Sequence, residues 1–355
     1  MAAKLRLYLL EEAKPGMVLG ADVVSARGKI MLSANTILTD GMIQRLSCWG
    51  FTGIVIIEDD AESPALRNKK RADRVVFNAQ YDQTVTIVKK AFEHIRMFKE
   101  IPFEQIREVT DDTVMALIGT PGALGYLHSL RSIDNYTFQH SVNVAIIVGV
   151  LCKWLDRGEE ETKELIFAGL LHDIGKALVP PEILNKPGKL TPPEMGIMKR
   201  HATLGYEAAR KAAILNRDVL KGIWQHHERL DGSGYPQGIG GEEVAFSAKI
   251  VAIADIYDAM TSDRVYRNRL TPFAAIKTLF ESMFDKLDAA ICTVFLSNLK
   301  DYFVGTAVNL TDGRLGEIIY MDGLAWDRIT VKTADGECIE LHENHDIQID
   351  VFFYA

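Results

Sequence analysis

Histidine and aspartate recur inside the most apolar stretches of this chain, and that placement constrains the fold more than any other feature. His140 opens "HSVNVAIIV", His172 and Asp173 lie in "FAGLLHDIGK", and His201 lies in "MKRHATLGY". His226 and His227 close "IWQHH", and Asp255 sits within "IVAIADIYDAM". Each stretch has the apolar content of a packed helix. A polar side chain carried into such a core must find a partner, and several left unpaired would cost on the order of several kcal/mol. One such group is an ordinary satisfied structural residue. A whole series on successive helices calls for a common partner, and metal ions pair them all at once.

The residue types narrow the metal chemistry. Histidine nitrogens with carboxylate oxygens, and no cysteine, suit iron, manganese or zinc in an open site better than a closed structural zinc site. On a helix, the neighbours His172 and Asp173 point about 100° apart and can serve different coordination directions. A carboxylate has two oxygens, so Asp173 can bridge two ions, and His226 and His227 can be divided between them. Two ions about 3.5–4 Å apart can form a bridging hydroxide and clamp a phosphoryl group under attack. The loop "DGSGYP" follows directly: Gly232 and Gly234 permit tight turns and Pro236 stiffens the exit, so this backbone can border a substrate.

Length and charge set the surroundings. A chain of 355 residues suits two or three domains. A net charge of −8 argues against a nucleic-acid polymer or an anionic membrane as partner, so an anionic ligand needs a local positive cluster or metal ions. Cys48, Cys152, Cys292 and Cys338 include no CxxC pair, which fits a reducing cytosol. The N-terminus lacks the apolar run of a signal peptide. "VAIIVGVLC" at 144–152 is about half a membrane span and reads as a buried core helix. A cytoplasmic protein with no membrane span is expected.

The fold expected is mainly α, a helical core with a small N-terminal α/β module and a small C-terminal β unit. Residues 1–60 are read as the N-terminal regulatory module, with short β runs around one helix at about 40–48. Residues 61–124 form a linker and helical connection, in which 59–74 reads as polar linker. Phe77, Tyr81, Val85, Val88, Phe92 and Ile95 then fall on one helix face, as core or a dimer seam. Residues 125–300 are the catalytic region, with helix starts at Thr191-Pro192-Pro193-Glu194 and at Thr271-Pro272. Residues 301–355 alternate as strands separated by "TDGR", "DGLAWD" and "ADGE" turns.

"HDIGK" at 172–176, "HHERLDGSGYP" at 226–236 and "DIYDAMTSDRVYR" at 255–267 together resemble the signature elements of the HD-GYP family. This is a branch of the HD-domain metal phosphohydrolases, whose members hydrolyse cyclic di-GMP in bacteria. "AKPGMVLGADV" resembles, more weakly, a module found ahead of such domains. The resemblance implies that His140, His172, Asp173, His201, His226, His227 and Asp255 are metal ligands. They would hold two divalent ions: iron or manganese, with zinc, nickel or magnesium as other candidates. It implies that Lys176, Arg264 and Arg267 contact phosphate, and that Asp173 and Lys176 act in catalysis. Gly234, Tyr235 and Pro236 would shape the substrate site and could meet a diguanylate cyclase (GGDEF) partner. A homodimer is a further expectation. Some members carry a glutamate that holds a third metal at the position of Tyr136, so this chain is expected to hold two.

The function expected is metal-dependent hydrolysis of cyclic di-GMP to pGpG, and on to GMP, by a metal-bridging hydroxide. Two alternatives stand beside it: a phosphohydrolase of another nucleotide, and a metal-loaded cyclic dinucleotide sensor with little turnover.

Overall fold

The computed structural model describes residues 4–24, 30–34, 36–58, 64–120, 122–130, 136–211, 215–262, 272–322, 328–344 and 346–353. The protein is mainly α and forms two compact units, one from residues 1–74 with 297–355 and one from residues 75–296.

In the first unit, β1 (Lys4–Leu9), β2 (Val23–Val24), β3 (Ile30–Leu32) and β4 (Gly53–Glu58) surround the helix α1 (Asp40–Cys48). β1 pairs antiparallel with β4, and β2 with β3. The side chain of Thr39 caps α1 by accepting the Met42 N–H at 3.3 Å. Leu10, Leu19, Leu38, Leu46 and Ile54 fill the core beneath. The chain end adds β5 (Ala307–Leu310), β6 (Leu315–Met321), β7 (Ile329–Thr333), β8 (Cys338–Glu340) and β9 (Ile349–Phe353) as one antiparallel sheet, in the order β8-β7-β6-β5-β9. β6 buries Leu315, Gly316, Ile318 and Met321, and where its register shifts between Ile318 and Tyr320, Ile319 and Tyr320 both face outward. Both ends of the chain share one cluster, in which Ala21 and Val55 pack with Ala307 and Leu315. A side chain on Gly53 would strike Leu315.

The second unit is helical. It comprises most of α2 (Pro64–Phe98), then α3 (Phe103–Glu108), a π-helical turn (Val109–Val114), α4 (Met115–Gly119), α5 (Ala123–Ser129) and α6 (Tyr136–Trp154). After these come α7 (Glu159–Leu171), α8 (Pro181–Leu184), α9 (Pro192–Lys199), α10 (His201–Ala209), α11 (Arg217–Gln225), α12 (Phe246–Thr261), α13 (Pro272–Ser282) and most of α14 (Ala289–Leu299). The linker expected over 59–74 gives way to helix from Pro64. Proline suits the first helical turn, and "ALRNKKRADR" after it is rich in helix formers. The stripe from Phe77 to Ile95 is buried, as a core face requires. Every residue of "VAIIVGVLC" is buried in α6, which packs on α7 and α12. Thr191 and Glu194 form the expected capping box at α9, with the Thr191 N–H donating to Glu194 Oε2 at 2.7 Å. α13 begins at Pro272, and Thr271 lies outside the described residues. Among the described residues no helix is long and apolar enough to cross a membrane.

Candidate metal centre

Helix ends bring the histidines and aspartates together. His140 lies in α6, and Asp255 in α12. His172 caps the C-terminus of α7, while Asp173 leaves the helix at φ −98° and ψ 8° and leads into a 3-10 turn over Ile174–Leu178. The pair is therefore not the helix-interior pair expected from sequence. Gly175 lies in that turn, where any Cβ would overlap the His201 carbonyl oxygen and crowd the Gly205 nitrogen. Its absence lets the turn lie directly on α10. His201 is the first residue of α10, and His226 and His227 follow the end of α11.

The result is two adjoining donor clusters, Asp173, His201, His226 and His227 in one and His140, His172 and Asp255 in the other. Asp173 faces both. Its Oδ1 lies 3.3 Å from His201 Nε2, and its Oδ2 lies 3.3 Å from His172 Nε2 and 3.5 Å from His140 Nε2. Asp255 also reaches two ways, with Oδ1 3.1 Å from His140 Nε2 and Oδ2 3.8 Å from His227 Nδ1. His172 Nε2 and Asp173 Oδ1 are buried without a hydrogen-bond partner, an arrangement a protein interior normally avoids. The donor set fits divalent cations, with imidazole nitrogens and carboxylate oxygens converging in a mostly buried site.

The outer contacts aim the rings. His172, His201 and His226 donate their Nδ1–H to the carbonyls of Gly169, Met198 and Ile223 at 2.7, 2.8 and 2.8 Å, which leaves each Nε2 a lone pair. His140 Nδ1 lies 2.6 Å from Asp258 Oδ2, and Asp258 Oδ1 accepts from Asn143 and Ser262, each at 2.8 Å.

Electrostatics follow burial and neighbours. Burial opposes ionisation of Asp173, but Lys176 and the rings of His172 and His201 outweigh it and hold the carboxyl well below its usual range. Asp255 is likewise held low, burial being outweighed by His140 first. Burial pushes His227 down to about 3, and lowers His201 and His226 as well. Burial also opposes the charged form of His140, yet Asp255 and Asp258 outweigh it and raise this ring to about 9.

A loop closes one side. Tyr235 stacks on His227 with ring centroids 4.5 Å apart, and Lys199 Nζ lies 4.9 Å from the centre of the Tyr235 ring. A Cβ on Gly234 would collide with the backbone of His227, Glu228 and Arg229, so this approach requires glycine. Pro236 follows through a cis bond. Lys176 pairs with Asp173 Oδ2 and stays a quarter exposed.

Arg264 and Arg267 lie outside the described residues. Tyr136 is the first residue of α6, and the bearing of its side chain falls outside the description. Sequence reasoning missed Asn143, Asp258 and Glu228. The spacing of His140 to Asn143, and of Asp255 to Asp258, puts each pair on one helix face and was the available signal.

Fold and site together define a helical domain built to present histidine and aspartate to cations. The family model described as HD domain matches residues 129–291. A cyclic di-GMP phosphodiesterase of Pseudomonas aeruginosa is 36% identical over 232 residues, covering 65% of this chain and 56% of that protein. The cyclic di-GMP phosphodiesterase response regulator RpfG of Xanthomonas campestris is 43% identical over 137 residues, or 38% of this chain and 36% of that one. A 3'3'-cGAMP-specific phosphodiesterase of Vibrio cholerae is 37% identical over 171 residues, covering 48% and 39%. An HDG"Y"P protein from Bdellovibrio bacteriovorus shares the fold at a TM-score of 0.54 and 17% identity, over 83% of this chain and 99% of that one. The chain spans between 36% and 56% of the length of these curated relatives. Residues 129–291 match the HD-domain family model, and "HDIGK" and "HHERLDGSGYP" both lie within that match.

Proposed function

We propose that the chain is a metal-dependent phosphodiesterase that opens cyclic di-GMP to pGpG, with GMP as the product of a second cut. The observation that carries this reading is Asp173, whose two oxygens face different donor clusters. Two divalent cations, iron or manganese by donor type, would be held. One would be held by Asp173, His201, His226 and His227, the other by His140, His172 and Asp255 with the second Asp173 oxygen. When bound, such cations polarise a phosphoryl oxygen and acidify water. The names of the Pseudomonas and Xanthomonas relatives support cyclic di-GMP as the substrate. With tyrosine rather than glutamate at 136, the count is two rather than three.

The side chains have distinct tasks. Lys176 holds an ammonium at the rim, where it can meet a phosphate. Arg264 and Arg267 are assigned the same task from their motif. Tyr235 covers His227 and excludes water from that side. Residues 125–300 are the catalytic region, 1–60 the regulatory module and 301–355 a β extension, in a cytoplasmic setting. The Gly234-Tyr235-Pro236 loop is the face offered to a diguanylate cyclase or to a second copy of the chain.

The 37% identity to a 3'3'-cGAMP-specific enzyme favours that dinucleotide as a second reading. The test is metal-loaded protein incubated with cyclic di-GMP, 3'3'-cGAMP or pGpG, with products resolved by chromatography. Faster loss of cyclic di-GMP is expected. Preference for cGAMP would support the second reading, and tight binding without turnover would make the protein a sensor.

A further inference from the structure

We infer that Tyr81, outside the HD domain, is a positioning residue for His140, acting through Asn143 and Asp258; the inference rests on the metal-binding reading above. The Tyr81 hydroxyl donates to Asn143 Oδ1 at 2.7 Å, and Asn143 Nδ2 donates to Asp258 Oδ1 at 2.8 Å. Asp258 Oδ2 then meets His140 Nδ1 at 2.6 Å. Tyr81, Asn143, Asp258 and His140 are 2%, 9%, 3% and 3% exposed, so water is not a ready substitute for any link.

The direction of this chain of bonds follows from chemistry. A carboxylate only accepts, so Asn143 must present its N–H to Asp258. The amide oxygen then faces Tyr81, and only a donating hydroxyl satisfies it. At the far end Asp258 Oδ2 takes the Nδ1 proton of His140, so Nε2 is the nitrogen turned toward Asp255 Oδ1, 3.1 Å away, and the one a cation can take once its proton is displaced. A metal-binding histidine depends on such a partner for its tautomer and ring orientation. Linked bonds also polarise one another. Tyr81 sits in the apolar stripe of α2, stacked with Phe77 at 6.4 Å, so its ring has a packing role that the hydroxyl does not share. Phenylalanine separates the two.

Metal-free full-length protein is titrated with Co²⁺, and both affinity and the visible absorption of the bound ion are read. Substituting outer partners of metal ligands costs about ten- to a hundredfold in affinity. Asp258→Asn is expected near the upper end of that range, and Tyr81→Phe near about tenfold, with an altered spectrum. Thr84→Val is the control. Its buried hydroxyl donates to the Gln80 carbonyl of the same helix and touches none of these bonds, so affinity and spectrum should stay at the wild-type values. If wild-type protein binds no Co²⁺, the metal reading itself fails. If it binds and Tyr81→Phe matches it, or if Thr84→Val loses as much as Tyr81→Phe, the positioning role is overturned. Should Tyr81→Phe not fold, Asn143→Ala cuts the same chain, and unchanged affinity there overturns the inference equally.

Discussion

The carboxylate of Glu228 holds the backbone of Gln237, its Oε1 accepting that N–H at 2.6 Å while Oε2 accepts the Gly238 N–H at 3.1 Å. Glu228 is buried, and the loop it grips carries the Tyr235 ring on His227. Two charge-assisted bonds thus set the height of the loop over the metal centre.

Glu228→Ala is expected to leave two partly buried N–H groups without their acceptor. Hydrogen bonds to charged groups are worth about 1.5–3 kcal/mol each, so urea unfolding should show a loss of at least about 2 kcal/mol. KM should rise as the loop drifts, with metal content retained. Glu228→Gln keeps one acceptor oxygen and should fall between. An unchanged KM in Glu228→Ala would mean that the loop does not border substrate.

Asp173→Ala removes a carboxylate whose two oxygens face different donor clusters. Turnover and metal retention should both be lost. Excess Mn²⁺ should raise the melting temperature of wild-type protein, because a ligand that binds only the native state stabilises it, and should leave the variant unmoved. Full metal content with activity would refute the assignment.

The residues of the two donor clusters were legible in the sequence because histidine or aspartate inside an apolar helix has few alternatives to a buried partner. The strands from Ala307 to Phe353 were legible from alternation and turns. What stayed hidden depends on distant contacts. The turn after Asp173 lies against α10 at Gly175, where a side chain would not fit. Tyr81 has the spacing of an apolar stripe, and its hydroxyl meets a residue 62 positions away. The packing of Val55 with Ala307 and Leu315 joins opposite ends of the chain, which no local pattern encodes.

Lys176→Ala tests whether the ammonium serves substrate or only Asp173. A charge-assisted phosphate contact is worth about 1.5–3 kcal/mol, or roughly ten- to a hundredfold in KM. That loss should come with metal content near wild type. If metal is stripped instead, the role of Lys176 is to hold Asp173.

Acid stability should single out Glu194. Lys186 first, then the Thr191 bonds, pull this carboxyl down to about 2 in the folded protein. A depressed folded-state pKa gives stability that is fully present above the unfolded value near 4.3 and lost as pH falls through about 2. The gap in urea midpoint between wild type and Glu194→Gln should therefore be widest at neutral pH and close between about pH 4 and 2. A gap independent of pH would assign the effect to packing.

Two glycines should respond with opposite signs to the same change. Gly175→Ala forces a methyl against the His201 carbonyl oxygen and the Gly205 nitrogen, both backbone atoms that cannot swing aside. Overpacking of this kind costs about 1–3 kcal/mol. The turn carrying His172 and Asp173 must then lift from α10, so metal affinity should fall together with stability. Gly196 lies exposed within α9 with nothing within 4 Å of the added methyl. Alanine there gains roughly 0.5–1 kcal/mol from the lower entropy of the unfolded chain and should leave metal binding unchanged. Equal melting temperatures for the two variants would remove the argument that Gly175 exists to let the two halves of the Asp173 cluster meet.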